Sequence, residues 1–348
     1  MFLALDLAVI IEKLVLIVIV VMGSLVVAMY MTYGERKVAG LLQDRPGPNR
    51  AGPFGLLQPL ADGMKLFFKE EIIPQFSSKV LFVMGPALAM LTAIMTSAVI
   101  PWGDKVHFFD RDISLQIADI NIGILYVFGV VSLGVYGIMI GAWASNNKYS
   151  LMGGLRAASQ IISYELAMGI SIIALLMFTG TLSIKEMVLQ QQAGNWNIIY
   201  QPLGFLIFLI CAFAECNRTP FDLAEAESEL IGGYHTEYSS MKLGFYLFAE
   251  YINMFISSAV MTSLYFGGYD MPFFNEAAHA DWGNWLALIG ISAFMFKIII
   301  FIFVFMWVRW TVPRFRYDQL MHLGWRILIP LALFNMLATG AAILYFGK

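Results

Sequence analysis

Residues 14–33 read LVLIVIVVMGSLVVAMYMTY and contain no charged side chain. A helix of about twenty predominantly apolar residues is long enough to cross the hydrocarbon core of a bilayer, so this stretch predicts a membrane-spanning helix. Seven further apolar runs follow along the chain. Together they predict about eight spans, at residues 14–33, 80–100, 122–144, 160–180, 202–213, 244–266, 285–308 and 327–346.

The overall composition supports the same fold class. Of the 348 residues, 59% are apolar and 13% are charged, whereas soluble domains carry about 25% charged residues. A soluble chain this apolar could not cover its surface with polar groups, but a lipid-facing surface needs no such cover. We therefore expect an all-α integral membrane protein forming one domain, residues 1–348. The fifth run is short and is expected to extend into its polar flank.

The distribution of Lys and Arg predicts the orientation. With eight spans, both termini share one side with the loops at 101–121, 181–201 and 267–284, and this side carries five Lys and Arg. The opposite side carries fifteen. By the positive-inside rule these fifteen face the cytoplasm or matrix, which places both termini on the outer side, periplasmic in a bacterium.

Several kinds of site are disfavoured. The four histidines are scattered without metal-ligand spacing, so no metal site is predicted. The two cysteines, Cys211 and Cys216, are too few for the cluster types that need four thiolates. No basic stripe predicts nucleic-acid binding, and the Gly-Gly pairs lack the strand–turn–helix context of a nucleotide site.

The first inner loop, residues 34–79, contains a rigid turn and an amphipathic segment. The Pro and Gly spacing at 45–50, RPGPNR, excludes a helix there. Residues 55–69 then predict a helix lying along the membrane or lining a cavity. Its apolar face comprises Leu56, Leu57, Leu60, Met64, Phe67 and Phe68, and its polar face Gln58, Asp62, Lys65 and Lys69.

The second inner loop, residues 215–242 and here called the carboxylate loop, begins ECNRTPFDLAEAESEL. If 222–230 is helical, Asp222, Glu225 and Glu229 share one face, and their repulsion raises the pKa of at least one of them. Such coupled carboxyls can pass protons. The plainer alternative is a solvated acidic loop. Within this loop the candidate relay groups are Glu215, Asp222, Glu225, Glu227 and Glu229.

Three ionisable residues lie inside predicted spans: Glu165, Glu250 and Lys297. A charge at a helix centre costs about 2.5–3.5 kcal/mol on insertion scales, so it normally faces a partner or water. We predict that Glu250 and Lys297 form a buried ion pair between the sixth and seventh spans. Whether Lys297 takes part in a relay or only in a structural pair stays open.

Five segments, all in loops or at span ends, resemble the quinone-proximal membrane subunit of respiratory complex I, called the H subunit in bacteria and subunit one of the mitochondrially encoded set. They cover the chain from the end of the first span to the start of the eighth. The segments read GERK at 34–37, QDRPGPN at 43–49, QPLADGMKL at 58–66, the carboxylate loop with EYS at 237–239, and PRFRYDQLM at 313–321.

The resemblance implies specific roles for residues of both inner loops. The first inner loop would border the tunnel that quinone uses, lined by Glu35, Arg36, Arg45, Asp62 and Lys65. Its apolar residues Leu57, Leu60, Met64 and Phe67 would contact the isoprenoid tail. The carboxylate loop, including Phe221, would form part of the chamber wall. In the family's acidic channel would lie Glu165, Glu215, Glu225 and Glu227, with Arg218 compensating their charge.

The resemblance also implies an enzyme subunit without a redox centre of its own. FMN and iron–sulfur clusters would be held by partner subunits, and quinone would be the substrate. Expected partners are the other complex I subunits and lipid, in a bacterial inner membrane or alternatively the mitochondrial one. The nearest alternative is the homologous subunit of a membrane-bound hydrogenase or a ferredoxin- or F420-linked complex. A stand-alone ion transporter is a further alternative, although no inverted repeat is visible.

Overall fold

The spans predicted from the sequence appear in the computed structural model as seven long apolar helices and one short one. The structure describes residues 7–108, 111–271 and 283–346, and their side chains except those of Leu7, Ala8, Phe108, Glu227 and Ser228. The helices are α1 (Leu7–Leu42), α2 (Gln58–Phe68), α3 (Lys79–Thr96), α4 (Gly123–Ala144), α5 (Lys148–Thr179), α6 (Ile184–Ala193), α7 (Asn197–Tyr200), α8 (Pro202–Glu215), α9 (Glu227–Leu230), α10 (Ser240–Tyr265), α11 (Asn284–Thr311), α12 (Tyr317–His322) and α13 (Ile329–Phe346).

The all-α membrane fold is confirmed, with seven helices long and apolar enough to cross a bilayer among the described residues. They are α1, α3, α4, α5, α10, α11 and the joined α12–α13. Between α12 and α13 the chain forms one π-helical segment, Leu323–Leu328. Pro330 follows it, and a proline inside a helix removes a hydrogen bond and crowds the carbonyl four residues earlier. The wider π turn accommodates that ring without breaking the helix.

The fifth span differs from the prediction. Helix α8 has 14 residues, about 21 Å of rise, and it ends at Glu215 rather than continuing into the polar flank. Helices α6 and α7, which precede α8 in the chain, pack against the end of α10, and Met187 and Val188 of α6 are buried. Gln191 Nε2 donates to the Ser263 carbonyl at 2.9 Å, and Asn197 Nδ2 donates to the Leu264 carbonyl at 2.8 Å.

The first inner loop begins later than predicted. Helix α1 continues to Leu42, so Glu35, Arg36 and Lys37 are helical rather than part of a loop. The continuation has a simple cause, because no helix breaker occurs until the Arg45–Pro46 step. Residues 45–50 are non-helical as predicted, and the amphipathic helix forms as α2, starting at Gln58. A small hairpin, β1 (Lys105–Phe108) and β2 (Arg111–Ser114), lies in the outer loop at 101–121 and was not predicted.

Helices α3 and α4 pack closely against each other. Helix α10 packs on α3, α5 packs on α4, and α8 packs on α5 and α10. Gly85, Gly137 and Gly141 allow the helices to approach closely. A Cβ on Gly137 would lie 2.8 Å from the Ala89 backbone nitrogen, closer than real Cβ atoms come. Tyr246 of α10 donates to the Gly137 carbonyl at 3.1 Å. Small residues at helix contacts allow the backbones of membrane helices to approach closely, and here they do so for α3 and α4.

Candidate functional site

Arg218, three residues beyond α8, is the centre of a buried charged cluster. Its side chain is 4% exposed. Its Nε lies 2.7 Å from Glu250 Oε1 on α10, and its Nη1 lies 3.4 Å from Glu35 Oε2 on α1. The guanidinium also stacks 4.3 Å from the ring centre of Tyr251. Arginine suits such a position because its planar group donates several hydrogen bonds and stacks on aromatic faces.

Glu35 links Arg218 to a second arginine. Tyr251 Oη donates to Glu35 Oε2 at 2.7 Å, and Arg309, at the inner end of α11, forms an ion pair with Glu35 Oε1. Two carboxylates therefore face two guanidiniums, which balances the charge. Four separate elements supply the group, here called the arginine cluster: Glu35, Arg218, Glu250, Tyr251 and Arg309.

The predicted ion pair between Glu250 and Lys297 is wrong. Among the described residues Glu250 pairs with Arg218, while Lys297 donates to the carbonyls of Phe266, Gly268 and Asp270 at 2.7, 3.0 and 2.5 Å. Glu250 lies 15 residues before the end of α10, about 22 Å along the helix. Lys297 lies beyond that end, where the segment after Tyr265 turns and presents these three carbonyls to its ammonium group.

The carboxylate loop is folded against three different partners. Arg314, between α11 and α12, lies 2.9 Å from Asp222 Oδ2. Glu225 Oε1 accepts a hydrogen bond from Tyr234 Oη at 2.7 Å, and His235 Nδ1 lies 3.5 Å away. Arg156 on α5 lies 2.6 Å from Glu229 Oε2.

The expected helix at 222–230 is therefore wrong, since only Glu227–Leu230 is helical. Because the segment before it is not helical, Asp222, Glu225 and Glu229 do not form one repelling face. Each is matched with its own hydrogen-bond donor. The side chain of Glu227, also assigned to the relay, lies outside the described residues.

The pKa values of two carboxyl groups in this loop are shifted in opposite directions. Burial, followed by the nearby charge of Glu225, raises the pKa of Asp222 to about 7 even though Arg314 opposes the shift. Asp222 Oδ1 is buried without a hydrogen-bond donor among the described residues, which agrees with that direction. Burial acts to raise the pKa of Glu225 as well, but His235, Tyr234 and Arg218 outweigh it and hold that pKa below its usual value. Opposed shifts in neighbouring groups are typical of proton-transfer sites.

We expect the Asp222→Asn variant to change how stability depends on pH. A carboxyl whose folded pKa is raised from 3.8 to about 7 stabilises the folded state fully below 3.8, and this stabilisation is lost as the pH rises through about 7. The thermal unfolding midpoint of the solubilised protein should therefore decline across this range in wild type and decline less in Asp222→Asn. Glu71→Gln, at a half-exposed carboxylate paired with Lys242, is the control. Equal slopes for all three proteins would contradict a raised pKa at Asp222.

A small cavity connects the arginine cluster with the end of α8. It encloses about 40 Å³ and is lined by Glu215, Glu250, Tyr234 and Tyr246. This is room for water, since one molecule needs only about 10–15 Å³ by this measure. Glu215 also interacts electrostatically with Glu165, whose Oε1 accepts a hydrogen bond from Ser132 on α4. Four carboxylates thus follow one another: Glu35 on α1, Glu250 on α10, Glu215 on α8 and Glu165 on α5.

A second and much larger cavity opens between α1, α2, α10 and α11. Its volume is about 850 Å³, within the range of small-molecule sites. Of the residues assigned to quinone binding, four line it: Glu35, Arg36, Asp62 and Lys65. Arg36 Nη1 lies 2.6 Å from Asp62 Oδ2 and joins α1 to α2 at the rim. Tyr251 and Arg309 of the arginine cluster line the same space.

The other four assigned quinone residues lie away from this cavity. Leu57 and Met64 are on the outward face of α2, 49% and 59% exposed. Arg45 is exposed in the turn after α1. Phe221 is 3% exposed, and its ring packs between Tyr164 and Phe315 at centroid distances of 5.2 and 5.5 Å. Phe221 therefore supports the carboxylate loop from within the protein core.

Comparison with known proteins agrees with the resemblance seen in the sequence. The profile of the NADH dehydrogenase family matches residues 14–340. The chain belongs to this family. An H subunit of NADH-quinone oxidoreductase from Cytophaga hutchinsonii is 67% identical over 335 residues, which is 96% of this chain and 97% of the relative.

Two further relatives are also H subunits of NADH-quinone oxidoreductase. The one from Flavobacterium psychrophilum is 67% identical over 341 residues, 98% of this chain and 99% of the relative. The one from Geobacter metallireducens is 47% identical over 338 residues, 97% of both chains. This member of the NADH dehydrogenase family therefore matches the H subunits over nearly its whole length.

Sequence reasoning missed several partners in this NADH dehydrogenase family member. Arg309 and Arg314 stand beside Glu35 and Asp222, although only the family segment at 313–321 drew attention to that region. Tyr234 is the hydroxyl donor to Glu225. The available signals were weak: Arg309 is a basic residue in the last turn of a helix, and Gly232-Gly233 before Tyr234 indicates a turn. Nothing in the sequence showed which carboxylate each would reach.

Proposed function

We propose that this chain couples quinone reduction to proton translocation as the membrane subunit next to the quinone site of NADH-quinone oxidoreductase. Its family and the subunit names of its relatives support the enzyme complex. The proposed coupling role rests on the position of Glu35. This residue lines the large cavity and is also bonded to Arg218, so one side chain belongs both to a ligand-sized space and to the chain of carboxylates.

The large cavity would admit quinone from the membrane. Its α2 wall presents Asp62 and Lys65 inward, while the opposite face of α2 exposes Leu60, Met64 and Phe67. Such an amphipathic helix lies at the membrane boundary with its apolar face in lipid. Polar groups at the inner rim would orient the quinone head, and the isoprenoid tail would remain in apolar surroundings.

Charge changes at the quinone would act on the arginine cluster. Glu35 and Glu250 share Arg218, so gain or loss of a proton at one alters the electrostatic balance of the other. The small cavity beside Glu250 and Glu215 would hold water that passes a proton onward. Glu165 and Ser132 then lie at the far end of the chain of carboxylates, on α5 and α4, where a neighbouring membrane subunit would receive the signal.

This function implies partners and a location. NADH would be oxidised by FMN and iron–sulfur clusters on peripheral subunits, which would dock on the inner loops. This chain would hold no redox centre of its own. The many Lys and Arg of the inner loops support an orientation with both termini on the periplasmic side of a bacterial inner membrane. The membrane subunits would lie in lipid, and quinone would reach the cavity from that lipid.

The Glu165→Gln variant tests the coupling role. In the assembled complex we expect quinone-dependent NADH oxidation and proton translocation in proteoliposomes to decline together by an order of magnitude. NADH oxidation by a hydrophilic acceptor such as ferricyanide should be retained, because it draws electrons from the peripheral arm. Glu71→Gln is the matched control on the inner surface. Wild-type proton translocation in Glu165→Gln, and likewise in Glu225→Gln, would refute the proposal.

A further inference from the structure

One face of α8, here called the α8 seam, is a row of buried residues that runs from Glu215 to the other end of the helix at Gln201. Gln201, Gly204, Phe208, Cys211 and Glu215 recur at alternating spacings of three and four residues, so they share one side of the helix. Gln201, Phe208 and Cys211 are 5%, 4% and 0% exposed. The seam begins at Glu215 beside the small inner cavity and ends about 21 Å away, at the outer end of α8.

The outer end of the seam is polar and buried. Gln201 Nε2 donates to Thr339 Oγ1 at 2.7 Å, and Asn335 Nδ2 donates to Gln201 Oε1 at 3.0 Å. Both α13 residues are less than a tenth exposed. An amide and hydroxyl group of this kind is costly inside a membrane protein unless it serves structure or holds water.

Beside this group two buried hydroxyls lack satisfied hydrogen bonds. Tyr265 Oη and Ser171 Oγ, both fully buried, have no partner of good geometry among the described residues, although the two side chains approach each other. Gly204 leaves space at the same place. A Cβ there would lie 3.4 Å from both Gln201 Oε1 and Asn335 Nδ2 and 3.6 Å from Tyr265 Oη. Buried polar atoms without a hydrogen-bond partner, such as Tyr265 Oη and Ser171 Oγ, are typical of an ordered water site.

Phe208 separates the outer polar group from the inner carboxylates. Its ring lies 5.8 Å from that of Tyr265. On its inner side the seam continues through Cys211 to Glu215. A stretch of apolar side chains that excludes water blocks proton passage, as hydrophobic constrictions do in channels. Phe208 is bulkier than Cys211, the other seam residue in this stretch.

We propose that the α8 seam is an outward proton path within this subunit, with a water site at Gly204, Ser171 and Tyr265 and a gate at Phe208. The path rests on the proposed coupling function, because Glu215 supplies its proton. A proton leaving Glu215 crosses the gate when water enters past Phe208. It then passes through the water held by Tyr265 to the amide group of Gln201 and Asn335 and leaves at the outer face.

If Phe208 is the gate, opening it should increase passive proton leak, which can be measured without NADH or quinone. In proteoliposomes holding the whole complex and a pH gradient, Phe208→Asn should raise passive proton leak several-fold, because a polar side chain hydrates the constriction. Phe213→Asn, a buried α8 phenylalanine that packs on Phe305 instead, is the matched control and should remain tight. Adding Gly204→Ala to Phe208→Asn should restore tightness, since the new methyl group occupies the water site at ordinary contact distance.

The outcomes separate this path from the coupling function. A Phe208→Asn complex as tight as wild type overturns the path, and so does an equal leak from the Phe213→Asn complex. If Phe208→Asn fails to assemble, a high-resolution map of the wild-type complex decides. Water density between Tyr265 and Ser171 supports the site, and its absence refutes it. If these tests contradict the α8 path while Glu165→Gln loses proton pumping, the coupling role is unaffected.

Discussion

Replacing Arg218 with methionine is expected to be among the most damaging single changes in this protein. The substitution leaves Glu250 as a buried carboxylate without its ion-pair partner, while Glu35 keeps Arg309 and Tyr251. Removing one member of a buried pair typically costs about 3–5 kcal/mol. We therefore expect little assembled complex in membranes and, in whatever assembles, loss of quinone-dependent NADH oxidation with the ferricyanide reaction retained.

Two further variants make the Arg218 result specific. Arg111→Met removes a positive charge from an exposed position of the β1–β2 hairpin, away from the inner loops, and should leave assembly unchanged. Arg218→Met combined with Glu250→Gln removes both charges, and because no buried carboxylate is then left uncompensated, it should recover part of the assembly. Blue-native gels measure assembly, and the two NADH assays measure function. Normal assembly of Arg218→Met alone would show that Glu250 is satisfied by something other than this arginine.

Gly233→Ala should disrupt the carboxylate loop. Gly233 has a φ of +60°, and an added Cβ would lie 1.7 Å from the Ala224 carbonyl oxygen and 3.0 Å from Glu225 Cα. These are backbone atoms, so no side-chain rotation can relieve the clash. Strained backbone and overpacking each cost on the order of 1–3 kcal/mol. We expect the two segments of the loop to separate, which removes Tyr234 and His235 from Glu225 and abolishes quinone-dependent activity.

The neighbouring glycine provides a matched control. Gly232 has a φ of −152°, and a Cβ there would first meet the Thr236 hydroxyl at 3.3 Å, a contact that a small side-chain rotation relieves. Gly232→Ala should therefore retain most quinone-dependent NADH oxidation while Gly233→Ala does not. Similar activities in the two variants would mean that the 224–233 contact is not needed for the site.

The positions of the apolar helices could be predicted from the sequence more reliably than the partners of individual side chains. The apolar runs and the positions of Lys and Arg are local properties, and they predicted the eight helices and the break at 45–50. The interpretation of the carboxylate loop was less accurate. Its helical face was inferred from spacing alone, but Asp222, Glu225 and Glu229 do not share a face because Arg314, Tyr234 and Arg156 offer better partners from distant parts of the chain.

The error at Glu250 and Lys297 has the same physical origin. Both lie inside spans, and pairing opposite charges is the simplest way to bury them. The two side chains lie at different levels along α10. Lys297 donates to carbonyls of the segment that follows Tyr265, whereas Glu250 lies 15 residues earlier, where Arg218 reaches it. The short fifth span was likewise misjudged, because α8 ends at Glu215 rather than continuing into the polar flank.

By itself, the sequence determined the membrane class, the order of the apolar helices along the chain, the two unusual inner loops and the family. These features follow from the composition, from the helical periodicity of apolar residues and from motifs that are contiguous in the chain. The tertiary structure alone decided that Glu35 joins a cavity of about 850 Å³ to the arginine cluster, and that Asp222 and Glu225 have opposed pKa shifts. Burial and charge–charge interactions depend on distances in space, and residues 35, 218, 250 and 309 acquire those distances only when four separate elements pack together.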